Sequence, residues 1–152
     1  DLIVELTKRF SILTTDLIIN CPLVQGVSAF LENIHSQVSV YLLSATPQLY
    51  LNQIIEVRGL AKYFKGLFGA PIDKVDILNT IMASENISAS EILFIGDCPE
   101  DQQAASKVEI VFIGRKSERP LDESISPVFT DFNMIKNHLF LVLRNLLLLR
   151  NQ

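Results

Sequence analysis

The stretch EILFIGDCPEDQQAA, residues 91–105, changes character at its middle. Glu91–Ile95 is a short apolar run with aromatic and β-branched residues, the pattern of a buried strand. Gly96 ends that run, and from about Glu100 the spacing turns helical through Ala104 and Ala105. Strand, acidic loop and helix in fifteen residues make half of a strand-helix-strand unit. In open parallel sheets, ligands gather at such strand-to-helix loops.

Working outward, VSVYLLS at 38–44 is a second apolar strand, closed by Ser44-Ala45-Thr46-Pro47, with a helix from Pro47 to about Arg58. Gly59 stops that helix, and KYFKGLFG at 62–69 reads as a compact aromatic-rich turn. Helical periodicity resumes over Lys74–Glu85 through Val75, Ile77, Leu78, Ile81 and Met82. Asn86–Ser90 is a linker carrying cap residues, and Val108–Ile113 is a third strand. At the other end, Leu2 to about Leu13 is helical, Pro22 and Gly26 mark a break, and Val27–Ile34 is a second helix. The predicted fold class is α/β: a Rossmann-like parallel sheet with helices on both faces.

Composition narrows the function. The 152 residues, 49% of them hydrophobic, suit one well-cored domain. Seventeen acidic against thirteen basic residues give a formal charge of −4, and the basic ones are scattered. No positive stripe exists to follow a nucleic-acid backbone, so nucleic acid is not an expected partner. Cys21 and Cys98 are too few for a disulfide framework, and the opening residues show no basic-then-apolar leader, which predicts a cytoplasmic protein. The apolar run Leu139–Leu149 is interrupted by Arg144 and Asn145 and is too short to span a membrane. It is expected to be a buried helix or a surface for self-association.

Three places carry chemistry. Asp97 follows the strand directly and Asp101 lies four residues on, so both carboxylates can face one mouth, where hard oxygen ligands suit Mg²⁺. The plainer reading is that Asp97 caps the next helix and Asp101 is a first-turn charge. The Ser44 hydroxyl, with the backbone N–H groups of Ala45 and Thr46, could donate to a phosphate oxygen; alternatively Ser44 or Thr46 is only an N-cap before Pro47. Lys74 opens a helix and could neutralise a phosphate, or simply be solvated. His35 and His138 have no ligand partners at metal spacing, so zinc is not expected.

Their order is what joins them: strand then Ser44, helix then Lys74, strand then Gly96–Asp101, with spacings of thirty and twenty-three positions between residues 44, 74 and 97. This arrangement, with the Gly26-Val27 helix entry, Gly59-Leu60, Tyr63-Phe64 and GDCPEDQQAA, resembles the haloacid dehalogenase-like hydrolases, nearest their phosphoglycolate phosphatase-like branch. The resemblance implies a Mg²⁺-dependent phosphomonoester hydrolase acting on a small phosphorylated metabolite. It implies that Ser44 and Ala45 bind phosphate, that Lys74 steadies its charge, and that Asp97 and Asp101 bind the metal. Ser44 and Lys74 are then the catalytic residues of this chain.

The sequence departs from that family in one respect. Its members open with a strand ending in Asp-x-Asp, the first aspartate attacking phosphorus, and no Asp-x-Asp occurs anywhere in the 152 residues. Asp16 has Ile18 two places on, and only twenty-eight positions separate residue 16 from residue 44. The resemblance therefore places residues 1–21 in the last part of a helical cap and 22–152 in a core lacking its central first strand. Two expectations follow. Either an upstream segment supplies the nucleophile strand, or the chain is a catalytically inactive remnant that binds phosphate and Mg²⁺ or acts as an interaction module.

Overall fold

A computed structural model describes residues 2–149, apart from the side chains of residues 7, 11 and 143–149. In chain order the elements are α1 (Leu2–Asn20), α2 (Val27–Ile34), β1 (Tyr41–Pro47), α3 (Gln48–Val57), β2 (Gly66–Ala70), α4 (Lys74–Glu85), β3 (Leu93–Gly96), α5 (Pro99–Lys107), β4 (Val111–Arg115), β5 (Val128–Phe129) and α6 (Phe132–Leu149). The described strands form two sheets, β1-β2 and β3-β4-β5, and every pairing is parallel. The chain divides with them into a first unit, up to Leu23 plus Leu31–Asp73, and a second, Val24–Phe30 plus the residues from Lys74 on.

In the first unit the strand expected at 38–44 begins three residues later and runs to Pro47. Its partner β2 lies inside KYFKGLFG, the segment that reads as a turn. The glycines that suggest a turn are there for close approach instead. A Cβ on Gly66 would stand 2.9 Å from the Tyr41 ring, and one on Gly69 would stand 2.6 Å from the Thr46 carbonyl oxygen and the Gln48 Cα. Helix α3 covers these strands with Leu51, Ile54 and Ile55, one turn apart and all buried. Helix α1 packs on α3 and continues past Leu13 to Asn20, because nothing in Thr14–Asn20 breaks it; Thr14 and Asn20 even bond back to the carbonyls of Phe10 and Asp16, both at 2.8 Å. Arg58 closes its end by donating to the Ile18 carbonyl and, at 2.8 Å, to that of Cys21.

In the second unit β3 and β4 run in register from Leu93↔Val111 to Gly96↔Gly114, with Phe94 and Phe112 edge to face at 5.8 Å. Ile77, Leu78 and Ile81 of α4, Ala104 and Ala105 of α5, and Ile110, Phe112 and Ile113 are all buried. Each large apolar side chain among them contributes on the order of 1.5–3 kcal/mol by leaving water. Ile135 of α6 is fully enclosed, and Phe132 meets Phe30 at 5.2 Å. Gly26 must be glycine: its φ is +82° and a Cβ would overlap Asn133 at 2.6 Å. The buried Gln102 amide donates to the Asp122 carbonyl (2.9 Å) and Ser126 Oγ (2.6 Å) and accepts from the Asp122 N–H (3.0 Å), which anchors the loop between β4 and β5.

Among the described strands, β1 and β3 each have a strand neighbour on one side only. No described helix is long and apolar enough to cross a membrane. Of the apolar run Leu139–Leu149, Phe140, Leu141 and Val142 are exposed, and the side chains from 143 on lie outside the described residues.

Candidate functional site

The acidic loop of the second unit is built on Gly96. A Cβ there would come within 2.4 Å of the Asp101 Cβ, so glycine is what lets the first turn of α5 fold back against the strand end. Asp101 is 5% exposed and its carboxylate is fully engaged: Oδ1 takes the Lys74 ammonium, and Oδ2 accepts from the Asp97 backbone N–H at 3.2 Å and the Cys98 thiol at 3.0 Å. Lys74 reaches it from the first position of α4. Asp97, by contrast, has a side chain 56% exposed, and among the described residues its carboxylate accepts no hydrogen bond. Its nearest cation is Arg115, with Nη1 3.9 Å from Oδ2.

Asp97 does not cap the helix. The N-cap of α5 is Cys98, which makes no side-chain cap bond, and Pro99 follows at the start of the helix. Burial pushes the Cys98 thiol up to about 11, helped by the hydrogen bond to Asp101. At neutral pH the thiol is therefore protonated and donates to Asp101.

The loop after β4 is tied to the acidic loop at two points. Ser117 Oγ donates to the Asp97 carbonyl at 2.6 Å, and Arg119 donates to Glu100 at 2.6 Å. The hydrogen bond from Arg119 is the main cause that holds the Glu100 carboxyl at about 2. Neither Ser117 nor Arg119 is a candidate in the sequence reading. Arg115 could have been found there, because Phe94-Ile95-Gly96-Asp97 and Phe112-Ile113-Gly114-Arg115 share one tripeptide before opposite charges.

Ser44 belongs to the first unit. Regular pairing of β1 with β2 stops at Leu43↔Phe68 and resumes at Pro47↔Ala70, so Ser44-Ala45-Thr46 bulges out of the ladder although the strand continues. The Thr46 N–H donates to Ser44 Oγ at 3.1 Å, which commits that amide and leaves the Ser44 O–H proton to donate elsewhere. The helix that follows begins at Gln48, with Pro47 as an N-cap that makes no side-chain bond, so neither Ser44 nor Thr46 serves as one.

The ligand atoms of Asp97, Cys98 and Asp101 lie within 4.8 Å of one another. The hard-oxygen donors of this cluster are the exposed Asp97 carboxylate and the buried Asp101 carboxylate that already holds Lys74, with room for water and phosphate oxygens to complete a metal's shell. That is a hard-oxygen set of the kind Mg²⁺ accepts.

The fold and this loop define a class. Residues 4–115 match the family described as haloacid dehalogenase-like hydrolase, and the chain belongs to it. Among its relatives, a phosphoglycolate phosphatase of Vibrio parahaemolyticus is 30% identical over 112 residues, covering 70% of this chain and 49% of that protein, so the chain spans about half the length of this curated relative. Similar solved structures include a HAD-superfamily hydrolase of Geobacter sulfurreducens, with TM-score 0.68, 17% identity, and coverage of 81% of this chain and 64% of that one. YfnB of Bacillus subtilis, solved bound to magnesium, has TM-score 0.66 and 14% identity, with coverage of 77% and 55%. These likenesses bear out the expected family and the α/β Rossmann-like fold.

Proposed function

We propose that this chain is the greater part of the catalytic machinery of a Mg²⁺-dependent phosphomonoester hydrolase acting on a small phosphorylated metabolite of the phosphoglycolate type. The observation that carries this reading is the Lys74–Asp101 pair beside the open Asp97 carboxylate. An ammonium fixed by a buried carboxylate suits holding negative charge at a set position, and a largely exposed carboxylate beside it suits a cation.

Each residue has its task. Ser44, its oxygen already accepting from Thr46, donates its hydroxyl proton to a phosphate oxygen, and the Ala45 N–H is a second donor. Lys74 offsets phosphate charge. Asp97 is the metal ligand, and Asp101 acts chiefly by orienting Lys74 and closing the loop. When bound, Mg²⁺ supplies the positive charge that relieves repulsion between a dianionic phosphate and an attacking carboxylate. No Asp-x-Asp occurs in the 152 residues, so none of them is assigned as the attacking carboxylate. The relative's substrate supports the choice of phosphoglycolate as the first compound to try.

The test is phosphate release by the full-length protein from a panel of small phosphomonoesters, phosphoglycolate included, across a Mg²⁺ titration. Turnover that requires Mg²⁺ supports the reading; turnover indifferent to it refutes the metal's role. The absence of Asp-x-Asp favours a second reading, a non-catalytic module that binds Mg²⁺ and phosphate. Saturable binding of both with no turnover identifies it.

A further inference from the structure

Strands β3 and β4 of the second unit end alike. Phe94-Ile95-Gly96 and Phe112-Ile113-Gly114 stand side by side in register, so the next residue of each strand, Asp97 and Arg115, emerges at the same level on neighbouring strands. The pair is opposite in charge, and Arg115 Nη1 comes to 3.9 Å from Asp97 Oδ2. The arginine is held there by its stem. Its side chain is 29% exposed, and its Nε is buried and makes no hydrogen bond among the described residues. An N–H left without a partner in a buried setting is costly, so the stem's placement is set by packing rather than by its own polar satisfaction. Lys74 pairs more closely with the buried Asp101, so the formal charges of Asp97, Asp101, Lys74 and Arg115 sum to zero.

We propose that Arg115 is a built-in counter-ion that competes with Mg²⁺ for Asp97 and thereby sets the loop's metal affinity. The inference rests on the reading of Asp97 as the metal ligand. The guanidinium is the cation nearest the carboxylate. Metal binding places a double positive charge next to it, and the guanidinium must either yield Oδ2 or share it against repulsion. Even when screened as in bulk water, a double and a single positive charge about 5–6 Å apart repel enough for about a tenfold loss of affinity. Arginine suits this role because it stays charged at every working pH and its fork can leave one oxygen without moving the stem.

The experiment is a Mg²⁺ titration of the full-length protein followed by the backbone amide resonances of Asp97 and Cys98, with thermal unfolding recorded for each variant. Arg115→Gln is expected to tighten the Mg²⁺ dissociation constant about tenfold, and Arg115→Lys, which keeps the charge, to stay near wild type. An unchanged or weakened affinity in Arg115→Gln overturns the proposal, as does equal tightening in both variants, which would make the effect steric. Should Arg115→Gln fail to fold, the wild-type protein still decides: the Arg115 Nε–H resonance is expected to shift as Mg²⁺ saturates Asp97, and a resonance that stays put overturns the proposal. Asp97→Asn separates the two readings. If wild type shows no response to Mg²⁺ that Asp97→Asn abolishes, the metal reading falls and this inference with it. If that response is present and Arg115→Gln leaves it unaltered, only the role of Arg115 falls.

Discussion

Lys74 at the first turn of α4 and Asp101 in the first turn of α5 form an ion pair that is 21% and 7% exposed, respectively. Removing one partner from a pair this buried leaves the other charge without compensation, at a cost of about 3 kcal/mol. Lys74→Met is therefore expected to destabilise the protein by about that amount in urea unfolding. The double variant Lys74→Met/Asp101→Leu should lose much less than the sum of the single changes. Additive losses would show that the two groups do not act as a pair.

The packing of Gly96 against Asp101 gives a second expectation. With a Cβ placed 2.4 Å from that of Asp101, Gly96→Ala forces the helix turn away from the strand end. The expected loss is about 1–3 kcal/mol in unfolding free energy, as for other overpacked sites. A neutral result would mean that the loop yields freely.

Cys98 provides a pH dependence. Burial first, and the Asp101 contact second, raise its thiol from the ordinary 9.0 to about 11, so it remains protonated through the range where free thiols ionise. At pH 8 its alkylation by iodoacetamide, measured in a Cys21→Ser background, should be about a hundredfold slower than that of an unperturbed thiol, with its inflection near 11. Asp101→Asn removes the negative charge and should move the inflection down. An inflection near 9 in the unaltered loop would contradict the geometry described.

Glu100 titrates in the opposite sense. The Arg119 hydrogen bond lowers its carboxyl from 4.5 to about 2, so whatever the contact contributes is present above pH 4.5 and is lost as pH falls through 2. Arg119→Ala should move the midpoint of the Glu100 carboxyl carbon, followed by NMR, upward from about 2 toward 4.5. A midpoint still close to 2 would place the cause elsewhere.

The helices that carry apolar residues at regular spacing were legible in the sequence, Lys74–Glu85 to the residue. Strand boundaries were displaced by one to three residues, because apolar residues such as Val38, Val40 and Ile92 extend the pattern ahead of the paired strands. Strand β2 was hidden because its two glycines, which serve close packing against Tyr41, Thr46 and Gln48, carry the same signal as a turn. Strand β5 has two residues and no periodicity to detect. Of the site, Ser44, Lys74, Asp97 and Asp101 stand out because each follows a strand or opens a helix. What spacing could not show is which carboxylate is the more engaged: only the contacts of Asp101 with Lys74, Asp97 and Cys98 reveal that Asp97 is the exposed one. Arg119 and Ser117 act through a loop with no pattern of its own, anchored from afar by Gln102.

The central claim is that the Asp97 carboxylate holds the metal on which phosphoester hydrolysis depends. Comparing full-length wild type with Asp97→Asn in a phosphate-release assay at saturating Mg²⁺ tests it most directly. The account predicts that Asp97→Asn lowers kcat/KM by at least about a hundredfold, or roughly 3 kcal/mol of transition-state stabilisation, while the protein still unfolds cooperatively. Turnover of Asp97→Asn equal to wild type, with the same Mg²⁺ dependence, would contradict it.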